Sequence, residues 1–184
     1  PLFTSDLTIT DFTFKKDTVG NISVNVNNTI PNQYDAQIAI TGQGNQVNLQ
    51  GIYRAELSSF NLNLDIEKLN LKSIQGFLNG KFEITGNTSQ PKIIGQLKFN
   101  DIGFKATQLN ASFKSINDKI EFKNDAIVFD KFTIKDQNEN DLVVNGKINS
   151  TNFSNFGFNL TVDAENFQAV NSKEKDNDLY YGEL

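Results

Sequence analysis

The chain has 184 residues, enough for one domain with a sizeable apolar face, and carries 17 basic against 22 acidic residues for a formal charge of -5. Apolar residues make up 38%, and the balance is Asn, Ser, Thr, Gln and Lys spread along the chain; this composition argues against disorder and offers no basic stripe for a nucleic-acid backbone. Cys and His are both absent, which removes the thiolate nucleophile, the commonest general base and the usual zinc ligands, so the chain reads as non-enzymatic, without cofactor or metal.

Met and Trp are absent too, and the chain opens Pro1-Leu2-Phe3. It therefore reads as a piece of a longer protein. No apolar run approaches the roughly 20 residues of a membrane-spanning helix, and no signal peptide is visible.

Taken in chain order, the dominant period is two. Leu7 and Ile9 alternate with polar residues, as do Ile22, Val24 and Val26, then Ile38 and Ile40, Val47 and Leu49, and Phe60, Leu62, Leu64 and Ile66. Such alternation marks strands with one dry face and one wet face. Leu71, Ile74 and Leu78 break the rhythm at helical spacing. They predict a short helix over 72–79 that divides two strand blocks, with Gly80 as its C-cap. Pro91 should open the next strand, where a missing N–H is tolerated.

The second block repeats the pattern with Phe82 and Ile84, Leu97 and Phe99, Ile102 and Phe104, and Leu109, Ala111 and Phe113. Ile120 and Phe122, Ile127 and Phe129, Phe132 and Ile134, Leu142 and Val144, and Phe156 to Val162 complete it. Read this way the chain has about fourteen strands. Polar turn signals lie between them: Lys16 to Gly20, Gly42 to Asn45, Asn117-Asp118 and Gln137 to Asn140. Short turns of this kind imply antiparallel neighbours, a meander. Asn171 to Asp178 reads as an exposed loop, with Tyr180 and Tyr181 beginning a further strand.

Three phase slips stand out, from Ile9 to Phe12, Phe99 to Ile102 and Phe129 to Phe132. A one-residue slip flips every later side chain, so each marks a tight turn or a bulge. At Asp130-Lys131 the bulge is favoured, because bends of this kind let an open sheet curve.

Three architectures fit a single apolar face: a packed sandwich, a membrane barrel, and a sheet curled into a trough. A barrel should concentrate Trp and Tyr at strand ends. There is no Trp, there are four Tyr, and the 16 Phe fall within strands, which sets the barrel aside. Periodicity alone does not separate sandwich from trough.

The run Gly80, Phe82, Ile84, Gly86, then Pro91, Ile93, Gly95 and Leu97 resembles the repeated Gly/Pro-punctuated strand unit of the TamB family, which belongs with the AsmA-like bridge proteins of Gram-negative envelopes. Ile120 to Asp136, running into Leu142, Val144 and Gly146, is similar to that family's C-terminal segment, and Asn166-Phe167 with Asp176 to Gly182 resembles its Bacteroidetes branch. The likeness covers about Gly76 to Leu184, while residues 1–70 agree in period and length only.

The resemblance implies an all-β, mostly antiparallel sheet curled into an open trough, a β-taco with an apolar interior, spanning 1–184 as one fragment. It implies a periplasmic protein anchored in the inner membrane, facing a TamA- or BamA-like outer-membrane barrel. It also implies either phospholipid transport between membranes or assistance to unfolded outer-membrane polypeptides. A structural adhesin-type module is the remaining alternative. By residue arithmetic the trough would be about 26–33 Å across and on the order of 65 Å long.

Cargo-lining candidates are Phe82, Ile84, Leu97, Phe99, Phe113, Phe122, Phe129 and Phe158, since large stiff apolar side chains suit a wall for acyl chains. Asp136, Asn138, Asn140 and Asp141 resemble the opening of a calcium loop, but the sixth position is not Gly and the twelfth is Lys147. A solvated hairpin turn is the better reading there. A cation held by Asp176 to Asp178 likewise gives way to a polar loop. Asp65 with Glu67, and Asp163 with Glu165, fall on the wet face by alternation, where nothing tunes them for acid–base work. The Asn-x-Ser/Thr sequences at Asn21, Asn27 and Asn159 carry little meaning in so Asn-rich a chain.

Overall fold

The computed structural model describes residues 2–14, 17–71, 74–151, 153, 155–173 and 182–183. Its body is one twelve-stranded antiparallel sheet. Strands β1 (Thr4–Phe14), β2 (Asp17–Ile30), β3 (Gln33–Gly42), β4 (Asn45–Arg54), β5 (Ser59–Leu69), β6 (Gln75–Asn87) and β7 (Pro91–Ala106) follow one another as neighbours. After a 3-10 turn at Thr107–Leu109 come β8 (Ala111–Ser115), β9 (Asp118–Lys123), β10 (Ala126–Lys135), β11 (Asp141–Thr151) and β12 (Asn155–Ala164). A separate two-residue ribbon pairs β13 (Asn171–Ser172) with β14 (Gly182–Glu183). Among the described residues no second layer packs on the large sheet: the most numerous contacts among its strands run between hydrogen-bonded neighbours. The packed sandwich is therefore not what this chain builds.

Turn chemistry explains the meander. Between β3 and β4, Gln43 (φ 53°) and Gly44 (φ 78°) supply the two left-handed residues that a tight hairpin needs. Pro91 opens β7 as expected. Lys16 of the first turn signal lies outside the described residues, and Asp17 to Gly20 already belong to β2.

Each phase slip is a bulge inside one strand. The residue before each resumption of the pattern is left-handed: Asp11 at φ 51°, Asp101 at φ 50° and Lys131 at φ 50°. Two of the bulges share their fastenings. The Asp11 N–H donates to Asn21 Oδ1 at 3.0 Å and the Lys131 N–H to Asn145 Oδ1 at 2.8 Å. Thr13 and Thr133 hydroxyls return to the carbonyls of Asp11 and Lys131 at 3.2 and 3.0 Å. The extra residue resets the parity, so Phe12, Ile102 and Phe132 rejoin the dry face. Residues 97–104 thus lie on one strand, as do 127–134, which lowers the sheet's strand count below fourteen.

Two expectations are corrected. The helix over 72–79 does not form: Lys72 lies outside the described residues, and β6 begins at Gln75. At the Leu71–Ile74–Leu78 spacing the Ile74 N–H donates to the Leu71 carbonyl at 2.9 Å, and Gly76 (φ 84°) is the single residue facing Asp101 and Ile102 at the β7 bulge. Gly80 is a strand residue opposite Leu97, where a Cβ would come within 2.3 Å of the Gln96 carbonyl oxygen. Asn117-Asp118 is not a hairpin turn either. Strands β8 and β9 are both antiparallel to β7, along its C-terminal and N-terminal halves respectively. They form one strand line interrupted by Asn117 (φ 58°), with the Ser115 hydroxyl closing the break on Asp118 Oδ2 at 2.8 Å. The sheet therefore has eleven positions, about 48 Å from β1 to β12 at ~4.8 Å each, not 65 Å.

At the strand ends the connections are stitched by buried polar groups. Asn45 donates to the Val19 carbonyl at 2.7 Å and accepts from the Asn70 N–H at 2.5 Å. Beyond β12 the chain turns back across the ends of β11 and β10 as an irregular strap, residues 165–170, before β13. The expected exposed loop from Asn171 instead starts with β13, where Ser172 is buried, while Tyr180 and Tyr181 lie outside the described residues.

Candidate cargo-binding face

Because the pairing between bulges keeps apolar residues opposite one another, the apolar side chains form rows that cross the entire sheet. One row runs Leu7, Val24, Ile38, Leu49, Leu64, Phe82, Gly95, Phe122, Ile127, Ile148 and Phe158. The next runs Ile9, Ile22, Ile40, Val47, Ile66, Gly80, Leu97, Ile120, Phe129, Gly146 and Leu160. Each row contains only apolar residues and glycine. Strands β1 to β5 thus share the same dry face as the rest.

Glycine gaps let the rings meet across a strand. Phe82 and Phe122 sit on either side of Gly95 and touch edge-to-face at 5.3 Å between centroids. A Cβ on Gly95 would lie 2.7 Å from the Phe82 ring. A second cluster joins Phe99 to Phe132 at 5.0 Å and Phe132 to Phe129 at 6.0 Å, both edge-to-face, which is favourable aromatic geometry. Phe132 is 8% exposed. Toward the edges the cover thins, with Leu7 at 52% and Phe158 at 72% exposure.

Of the eight residues singled out from sequence, Phe82 and Phe122 meet directly, and Phe99 and Phe129 meet through Phe132. Ile84 lies between Leu62 and Ile93, and Leu97 between Gly80 and Ile120. Phe113 stands apart, in contact with Phe104 at 5.5 Å and stacked on Phe167 at 5.7 Å. Phe158 is on the last strand, opposite Ile148.

Sequence reasoning left out the first-block wall, Leu49 and Leu64 among it, although the period-two signal was equally clear there. It also left out Phe132 and Phe167. Phe132 follows a phase slip, and Phe167 sits in an irregular segment with no period to read.

The polar face carries ordinary surface chemistry. Asp65 pairs with Lys81 at 2.9 Å and Glu121 with Lys119 at 2.9 Å, both open to solvent and worth little to stability. Depressions of about 620 and 630 Å³ open on this face, among Asn48, Gln50 and Asn63 in one case and Asn145, Lys147 and Asn159 in the other. The first also takes in the exposed Ile94 and the second Val128. The dry face is an open surface, and its interest lies in that continuity.

The β10–β11 turn is a hairpin with Gln137, Asn138 and Glu139 exposed, as expected, but its first residue is not. Asp136 is 2% exposed. Its Oδ1 accepts the N–H groups of Asn138 and Asn140 at 2.8 and 2.9 Å, and its Oδ2 accepts the Gln168 N–H at 2.8 Å and Asn140 Nδ2 at 3.1 Å. Burial pushes this carboxyl up, but the N–H donors of Gln168, Asn140 and Asn138 outweigh it and hold it below its usual range. The carboxylate is a clasp for the turn and the strap.

Residues 130–184, from the bulge in β10 to the C-terminus, match the family described as the TamB C-terminal domain. That C-terminal stretch is a TamB-family segment. Neither a curated protein nor a solved structure matches the chain. The TamB match contains β11, β12, the Asp136 clasp and the strap, and the earlier strands are joined to it through the register of β10 with β9 and of β9 with β7. The match relates residues 130–184 to the TamB, AsmA-like bridge group.

Proposed function

We propose that this chain is a non-enzymatic periplasmic segment of a TamB-type bridge, and that its dry face curls into a trough that carries or shields phospholipid between the inner and outer membranes. The observation that carries this reading is the pair of apolar rows crossing all eleven strand positions with no second layer upon them. Removing one CH₂ from water contributes roughly 0.8 kcal/mol, so an acyl chain laid along such a row has ample drive to stay. In this reading the full-length protein is held in the inner membrane and meets a TamA- or BamA-like barrel in the outer membrane.

Photo-crosslinkers placed at Phe99 and Ile84 in the intact protein should capture phospholipid, and those at Lys98 and Glu83 on the polar face should capture little. Equal labelling of the two faces would defeat the reading. A second reading, assistance to unfolded outer-membrane polypeptide, is favoured by β12. Among the described residues its ten residues have one neighbouring strand, and they carry no bulge and no Lys or Pro, which suits an edge for an incoming strand. Crosslinkers on Asn159 that trap polypeptide, with none trapping lipid at Phe99, would favour that reading instead.

A further inference from the structure

We propose that residues 165–173 form a displaceable gate over one end of the dry face, with Phe167 seated on Phe113 where a cargo acyl chain would otherwise lie. The inference rests on the lipid reading above. The strap leaves β12 after Ala164 and crosses β11 and β10 to reach the 3-10 turn at Thr107–Leu109, three strand positions or about 14 Å away. Over that distance it makes no strand ladder. Its first regular pairing is β13 with β14.

The fastenings are of two chemically different kinds. Along the rim they are polar: the Gln168 N–H on Asp136, Asn140 Nδ2 on the Asn166 carbonyl at 2.8 Å, Gln137 Nε2 on Gln168 Oε1 at 2.6 Å, and Asn110 Nδ2 on the Asn171 carbonyl at 2.8 Å. The Gln137 and Asn140 contacts are exposed, so water replaces them with little loss. On the apolar side the ring contact is Phe167, stacked on Phe113 with 13° between the planes. Phe113 in turn touches Phe104, which remains 43% exposed.

One ring at the end of an extended segment covers less apolar surface than an acyl chain does. The arrangement therefore holds the end of the face closed when empty and yields to a larger apolar occupant. Asp136 sets how firmly, since it is the buried member of the polar set.

The chain contains no Cys, so Gln137→Cys with Gln168→Cys introduces a single thiol pair where the two side chains already touch. A dibromobimane bridge between them pins the strap closed. The readouts are photo-crosslinkers at Phe104, beside the gate, and at Ile84, remote from it, with vesicles of phosphatidylethanolamine and phosphatidylglycerol as probe. If bridging cuts the competent population to under a tenth, capture at Phe104 should fall about tenfold and return on leaving the thiols unbridged. Phe167→Ala should raise capture at Phe104 above the parent, and Ile84 should respond to neither change. Capture at Phe104 that is the same in bridged, unbridged and Phe167→Ala protein, while Ile84 still captures, overturns the gate and leaves the lipid reading standing. Failure of Ile84 and Phe104 to capture in every variant removes the lipid reading and the gate with it.

Discussion

Asp136→Asn separates the two jobs of one carboxylate. Oδ1 serves the turn, through the Asn138 and Asn140 N–H groups, and Oδ2 serves the strap, through the Gln168 N–H, and also takes the Asn140 side chain. An asparagine keeps one acceptor. Aimed at the turn, its carbonyl preserves both turn contacts and points its NH₂ at the Gln168 N–H, donor against donor. The opposite orientation orphans two backbone N–H groups and is the worse choice. The substitution should therefore remove one backbone hydrogen bond to a charged group, about 1.5–3 kcal/mol, from the strap, together with the contact of Asn140 Nδ2, while both turn N–H groups keep their acceptor. At 1.4 kcal/mol per factor of ten, amide exchange at Gln168 should accelerate roughly tenfold to hundredfold, while Asn138 and Asn140 change little. Hydrogen exchange followed by NMR reads all three amides in one experiment. Equal acceleration at the three sites, or none at Gln168, would refute the division of labour.

The same clasp sets a pH response: because the folded-state carboxyl lies below its usual 3.8, the unfolded chain takes up the proton first. Its stabilisation is complete above pH 3.8 and is lost as the pH falls through the folded value, so Gln168 protection should drop only in that acid range and Asp136→Asn should flatten the step. Phe132→Ala, at the centre of the ring cluster, should cost about 3–5 kcal/mol by denaturant unfolding, whereas Phe158→Ala on the open edge should cost under about 1 kcal/mol. Comparable losses would mean that the dry face is covered more evenly than its exposure suggests. EDTA should leave thermal stability unchanged, since the Asp136 oxygens are already occupied by N–H donors; a lower midpoint on chelation would point to a cation at that turn.

How much was legible in the sequence depended on whether local chemistry or a neighbour set the conformation. The alternation of Leu62, Leu64 and Ile66, or of Phe156 to Val162, records a face directly, and the hairpin at Gln43-Gly44 is written in its own residues. The bulges were legible as parity breaks at Asp11, Asp101 and Lys131 because one dry face must be kept. The false helix over 72–79 arose where Gly76, facing the Asp101 bulge of β7, shifts the apolar spacing toward a helical one, and only the pairing with β7 shows otherwise. The Asn117 break was read as a reversal because a kinked strand and a hairpin share the same polar signal, and the pairing partner decides between them. The strap was invisible for a related reason. Phe167 and the Asp136 clasp are defined by partners some 30 to 50 residues away in sequence, and no period encodes them.

Backbone contact among the described strands runs mainly between adjacent ones, with ring contacts such as Phe82–Phe122 reaching one strand further, which makes the sheet close to a linear chain of interfaces. Its thermodynamics should then resemble those of repeat arrays, in which stability is a sum of unit and nearest-neighbour terms. Such a structure melts from its termini inward, and it lengthens or shortens by whole hairpins without rebuilding a shared core. Evolution can therefore set the span of this protein by counting hairpins.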